Sequence, residues 1–176
     1  MKNRFFLIAG PCVIESEDLV FETAKKLKEW EEIVDGKKIK KMSAYERHGA
    51  LIGEIVFCLQ PLIKRYKILI GEVGIKISEL TIRAADIVVV KRELYRGSRE
   101  AIDYEVELVI EIEEYRKSYV RKKIDDYLKF GIKRQIWIFL DKEEIWDIDN
   151  LGNKKILSFD DEIDIFGVKL KISDLV

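Results

Sequence analysis

The sequence is poor in the residues most often used for nucleophilic and soft-metal chemistry. It has one histidine, His48, and two cysteines, Cys12 and Cys58, in 176 residues. No Ser-His-Asp or Cys-His pair can be argued from a single histidine. The cysteines lie far apart, with no CxxC spacing, which argues against a disulfide scaffold and for a reducing cytoplasm. Proline is scarce too, so Pro11 and Pro61 stand out as breakers. No apolar run approaches the roughly 20 residues of a membrane span. The stretch Phe5–Ala9 is too short for a signal peptide. A strongly basic balance is missing as well. The net charge is −1, so any contact with nucleic acid has to come from local patches. There are no internal repeats and no low-complexity linker.

What is present is a globular composition, 48% apolar and 37% charged, with both signs interleaved. Such interleaving suits ion-pair-rich proteins from hot environments. The length allows one domain with a proper core and a short appendage. Three basic clusters occur: Lys37, Lys38, Lys40 and Lys41; Lys64, Arg65 and Lys67; and Arg116, Lys117, Arg121, Lys122 and Lys123. Each reads by default as a solvated face.

The apolar pattern predicts a short buried strand over 5–9, stopped by Gly10-Pro11, then a helix from Ser16 to Trp30. Asp35-Gly36 predicts a hairpin joining Glu32–Val34 to Lys37–Met42. A helix follows from about Tyr45, with Leu51, Ile52, Ile55, Val56, Leu59 and Leu62 as its stripe and Pro61 as its end. Strands are expected at Lys67–Ile70, Glu72–Ile77, Asp86–Val90 and Glu107–Ile112. A helix over Ser118–Phe130 should be closed by Gly131. Gln135–Leu140 reads as a buried strand, and Glu144–Asp147 with Lys154–Ser158 as a hairpin. Phe166–Ile172 reads as a final edge strand. Together these predict an α/β (α+β) fold, a mixed sheet with helices packed on it.

Two carboxylates fall on apolar strands: Asp86 heads Ile87-Val88-Val89-Val90, and Glu111 sits inside LVIEI. A carboxylate there is costly unless paired or bound to a metal. On neighbouring strands the two would bring oxygen ligands together, as suits Mg²⁺ or Mn²⁺. Lys123, one helical turn before Tyr127, is placed to point back and stabilise developing negative charge. Spacing alone leaves a plainer reading open: Asp86 as a strand-edge charge, Glu111 as a partner of a lysine.

Several stretches, in order, resemble the Uma-type putative restriction endonuclease family, a branch of the PD-(D/E)XK nuclease superfamily. EEIVDGKKIKKMSA (31–44) is similar to its opening hairpin and ERHGALIGEI (46–55) to its first helix. RAADIVVV (83–90) and VELVIEI (106–112) resemble its two acid-bearing strands. KKIDDYLKFGIKRQIWIFLD (122–141) resembles its Lys-x-x-x-Tyr helix, glycine turn and following strand. The resemblance covers about four-fifths of the chain. It implies a restriction endonuclease-like fold over 31–176 and a metal-dependent endonuclease acting on DNA. Asp86 and Glu111 would be the metal-binding acids and Lys123 the catalytic lysine. Arg47 and His48 would border the substrate, and a homodimer would form, for which the helix over 46–60 offers an apolar surface. His48 also reads as a helix-cap or surface residue. Ala85 replaces the family's usual proline, Glu113-Glu114-Tyr115 replaces its Ser-Pro-Ser, and Glu113 occupies the signature lysine's place. These departures keep open a second expectation, a non-catalytic binding or assembly module.

The first thirty residues differ. FFLIAGPCVIESEDLVFETAKKLKEW (5–30) resembles the start of 3-deoxy-D-manno-octulosonate 8-phosphate synthase, where a cysteine at the place of Cys12 can ligate metal. That enzyme is a (β/α)₈ barrel, which needs roughly 250 residues. The similarity stops near Trp30, so the segment is expected to be an appended strand and helix, residues 1–30, with no synthase activity.

Overall fold

In the computed structural model, which describes residues 30–41, 46–113 and 117–176, Asp35 and Gly36 turn β1 (Trp30–Val34) back into β2 (Lys37–Lys41). Both take left-handed φ values, 50° and 74°, the pair of positive angles that a tight two-residue hairpin turn requires. The turn docks on the next hairpin: Gly36 N donates to Leu80 O (2.8 Å) and Asp35 N to Thr81 Oγ1 (3.2 Å). The expected strand and helix before residue 30, and Cys12 with them, lie outside the described residues.

Helix α1 (Glu46–Cys58) buries Leu51 and Ile55, and Pro61 stands second in the 3-10 turn Gln60–Lys64 that follows it. The apolar face expected to serve dimerisation is mostly spent on this core; Phe57 remains 76% exposed. Strands expected at 67–70 and 72–77 form one long strand, β3 (Tyr66–Ser78), paired antiparallel with β4 (Thr81–Lys91). Their register shifts between Ile70–Ile87 and Val73–Ala85. Gly71 (φ 90°) and Glu72 (φ 58°) therefore stand against Asp86 alone.

β5 (Leu108–Glu113) leads into α2 (Lys117–Phe130). Gly131, at φ 89°, ends this helix: its N–H reaches Leu128 O (3.0 Å), and Ile132 N reaches Tyr127 O (3.1 Å). This is the paired closure that a left-handed glycine allows. β6 (Arg134–Phe139), β7 (Glu144–Asp149) and β8 (Lys154–Ser158) complete the sheet. The tail departs from expectation. It forms a separate two-stranded hairpin, β9 (Ile163–Ile165) and β10 (Val168–Leu170), turned by Phe166 and Gly167 at φ 54° and 92°. Of the strand expected over 166–172, only Val168–Leu170 is extended; Phe166 and Gly167 form the turn, and Ile172 begins a 3-10 turn.

The main sheet runs β2-β1-β4-β5-β6-β7-β8, with β3 along the other edge of β4. Its pairs are antiparallel except β5–β6, which are parallel and joined through α2, as a parallel pair requires. Alternate residues of the central strands feed two cores. Ile87, Val89 and Ile110 pack with Leu51 and Ile55 of α1. Val88, Val90 and Val109 pack with Val120 and Tyr127 of α2. Burial on both faces explains why these strands read as nearly unbroken apolar runs.

Candidate active site

β4 carries β3 along one edge, so β1 and β5 share the other. β1 touches it at a single pair, Ile33–Ile82, while β5 pairs at Ile87–Ile110, Val88–Val109 and Val89–Leu108. Between these contacts the edge opens into a fork spanning Arg83 to Asp86. One step past Ile87–Ile110, the same register sets Asp86 opposite Glu111.

The groups at the fork are buried and charged. Glu32, Arg83, Asp86, Glu111, Lys123 and Asp126 all lie below 9% exposure. Asp86 Oδ2 accepts from the amide of Ile112 (2.8 Å) and from His48 Nε2 (3.2 Å). Glu111 accepts from Lys123 Nζ (2.9 Å) on one oxygen and from the Tyr127 hydroxyl on the other. Lys123 Nζ also donates to Ala84 O (2.8 Å), lies 3.2 Å from Glu32 Oε1, and is 3.8 Å from Glu113 Oε1. Around them, Arg83 joins Glu32 (2.7 Å) to Asp126 (2.7 and 2.9 Å).

Helix α2 supplies Lys123 and Tyr127 one turn apart on its inward face, as the sequence spacing required. Burial works against the Lys123 charge, but Glu111 and Glu32 outweigh it and hold the ammonium well above the ordinary lysine range. Burial and Glu111 likewise hold the Tyr127 hydroxyl up, so it remains a donor. The hydrogen bond to Asp86 raises His48, with burial opposing.

Asp86 meets His48 and the Ile112 amide, and Glu111 meets Lys123 and Tyr127, at adjoining positions of β4 and β5. Arg47 is exposed at the start of α1, one residue before His48. Lys123 belongs to a basic cluster that reads as a solvated face, yet it is fully buried. Sequence reasoning missed Glu32, Arg83 and Asp126. The signal for Glu32 was hidden because Ile33, the apolar neighbour, is the half-exposed residue, while Glu32 and Val34 point inward.

Whether a divalent cation suits this site is a matter of donor chemistry. Asp86, Glu111 and Glu113 bring three carboxylates to the fork beside one ammonium, Lys123, while Glu32 and Asp126 are taken up by Arg83. That excess of oxygen donors and negative charge fits a hard divalent ion. An ionised carboxylate offers about four lone-pair sites, so holding Lys123 and Tyr127 is compatible with Glu111 also holding a cation. Among the described residues, no three His, Cys, Asp or Glu side chains already converge on one metal position.

The chain matches the family described as "Uma2: Putative restriction endonuclease" over residues 19–152, more than half its length. It superposes on the crystal structure of a putative nuclease of the DUF820 group from Anabaena variabilis with a TM-score of 0.68 and 20% identity, covering 88% of this chain and 95% of that one. That likeness establishes the nuclease-like fold. A short N-terminal match of another kind is present. It is 80% identical over 29 residues to 2-dehydro-3-deoxyphosphooctonate aldolase from Bordetella pertussis, covering 16% of this chain and 10% of the enzyme. The corresponding enzyme of Campylobacter jejuni subsp. doylei is 62% identical over 30 residues, covering 17% of this chain and 11% of the enzyme. The chain thus spans about a tenth of the length of the curated relatives it matches. No helix among the described residues is long and apolar enough to cross a membrane. By the extent of the family match, the chain belongs to the Uma2 putative restriction endonuclease family.

Proposed function

We propose that this chain is a metal-dependent endonuclease hydrolysing DNA phosphodiester bonds, with Asp86 and Glu111 holding a Mg²⁺ or Mn²⁺ ion. The observation that carries this reading is the in-register placement of the two acids at the fork, with Lys123 2.9 Å from Glu111. A bound divalent ion would polarise a phosphoryl oxygen and lower the pKa of a bound water. The chain's own groups supply the rest. Lys123, held protonated, does not take a proton from water. It acts as a fixed positive charge behind the acids and as the anchor of Glu111. Tyr127 fixes the second oxygen of Glu111, and the Ile112 amide fixes Asp86. Arg47, exposed beside His48, would meet the phosphate backbone, where an arginine makes paired hydrogen bonds. The test is cleavage of plasmid DNA with Mg²⁺ and with chelator. Wild type should cut only with the ion, and Asp86→Ala and Glu111→Ala should not cut. Cleavage surviving both changes would place the chemistry elsewhere.

A second reading, a binding or assembly module without catalysis, is favoured by one observation. Both oxygens of Glu111 are already engaged, one by Lys123 and the other by the Tyr127 hydroxyl. Calorimetric titration with Mn²⁺ separates the two. A nuclease site should bind one ion, with loss of binding in Asp86→Ala; no heat from the wild type supports the module.

A further inference from the structure

Glu32 enters none of the steps above, yet it lies at the centre of the fork with its side chain fully enclosed. Oε1 accepts from the Ala84 amide (3.1 Å) and lies 3.2 Å from Lys123 Nζ. Oε2 accepts from Arg83 Nη1 (2.7 Å) and from the Tyr119 hydroxyl (3.0 Å). Three hydrogen bonds and the Lys123 ion pair take up the roughly four lone-pair sites of a carboxylate, so Glu32 is built as a clamp and not as an ion ligand.

What it clamps is Lys123. An ammonium has three N–H groups, and those of Lys123 face three acceptors from three strands: Ala84 O on β4, Glu111 Oε2 on β5 and Glu32 Oε1 on β1. Glu32 also takes the Ala84 amide, so it holds both the cation and the peptide whose carbonyl the cation uses. β1 meets β4 through only one strand pair, and the Glu32 contacts supply a further tie between them.

We propose that Glu32 is a positioning residue of the site, holding the Lys123 ammonium against Glu111 and making the β1–β2 hairpin part of the catalytic unit. Its catalytic consequence depends on the nuclease function proposed above; its hold on Lys123 does not. Asp126 provides the contrast. It binds the far side of the same Arg83, at 2.7 and 2.9 Å, and its ion pairs run to Arg83 and Lys129, where Glu32 pairs with Lys123. A role confined to packing would make Glu32 and Asp126 equivalent.

The experiment compares full-length wild type with E32Q, E32D and D126N, well below each unfolding midpoint. Amines are labelled with a small amine-reactive reagent and read by mass spectrometry at Lys123, and Mn²⁺ affinity is measured by calorimetry. E32Q presents an amide N–H₂ to two of the four donors, so E32D is included as a charge-preserving variant too short to reach Lys123. Lys123 should stay protected in wild type and D126N and become several-fold more reactive in E32D and E32Q. Mn²⁺ affinity should fall at least about tenfold in the Glu32 variants, as for loss of a group that orients a ligand, and hold in D126N. Lys123 as protected in the folded Glu32 variants as in wild type would overturn the proposal, as would equal exposure in D126N. A wild type that binds no Mn²⁺ and cuts no DNA would refute the nuclease function, while the labelling result would still decide the role of Glu32.

Discussion

Asp86 accepts a hydrogen bond from the amide of Ile112 at 2.8 Å, which ties the acid of β4 to the peptide that follows the acid of β5. The β4–β5 ladder ends at Ile87–Ile110, and at the next register position two carboxylates stand where two apolar side chains would continue it. The Asp86 side chain takes the amide that the ladder no longer serves. The irregularity opposite it in β3, at Gly71 and Glu72, marks the place where β4 passes from packing Ala85 under α2 to packing Ile87 under α1. Asp86 thus sits where both layers are reachable, with His48 of α1 on the same oxygen.

This arrangement separates the two jobs of Asp86. Asp86→Asn keeps a neutral oxygen for the Ile112 amide, so the fold should hold. Asp86→Ala strands that buried amide, at a cost of about 1–3 kcal/mol. Urea unfolding should therefore rank wild type and Asp86→Asn close together, with Asp86→Ala below. Mg²⁺-dependent cleavage should be lost in both variants. An Asp86→Asn protein that cuts at the wild-type rate would remove Asp86 from the ion's ligands.

Much of this fold was legible because local chemistry and tertiary demand agree. Asp35-Gly36 and Gly131 sit where positive φ is needed, and the apolar runs of β4, β5 and β6 sit in a sheet covered on both faces. Asp86 and Glu111 were legible as acids misplaced among Val and Ile. Glu32 was not, because a glutamate in a charged hairpin strand carries no local mark of burial. Its environment is set by Arg83, Ala84, Tyr119 and Lys123, residues 51 to 91 positions away in sequence. The tail was misread as one edge strand for a related reason: period-two alternation fits an edge strand and a small hairpin equally well.

His48 gives a pH prediction with a definite sign. Its hydrogen bond to Asp86 raises it above the usual histidine value, with burial acting against. A histidine raised in the folded state stabilises fully below its unfolded value, about 6.5, and that stabilisation is lost as pH rises through the folded value. With chelator present, the stability gap between wild type and His48→Gln should be widest on the acid side and shrink toward alkaline pH. Proton NMR of this single histidine should place its titration above that of an unfolded peptide, and Asp86→Asn should bring it down. A gap that widens with rising pH would contradict the hydrogen bond as the cause.

Lys122 and Lys123 are neighbours with opposite expected behaviour. Lys122 pairs with the exposed Asp35 at the surface. Lys123 is fully buried among Glu111, Glu32 and the Ala84 carbonyl. Lys123→Met keeps most of the volume and removes the charge, leaving two buried carboxylates without their shared cation. Breaking a buried pair from one side costs about 3–5 kcal/mol. Chemical denaturation should show that loss in Lys123→Met and no measurable change in Lys122→Met. Because Glu111 and Glu32 hold Lys123 above its unfolded value, its stabilisation is complete below that value and declines only as pH rises through the folded one. The penalty in Lys123→Met should therefore stay level from about pH 6 to 9, far below the ordinary lysine value of about 10.4. Neutralising the partner as well, in Lys123→Met with Glu111→Gln, should recover part of the loss, since a buried amide is less costly than a buried unpaired carboxylate. A double variant whose loss equals the sum of the two single losses would show that Glu111 is held mainly by Tyr127.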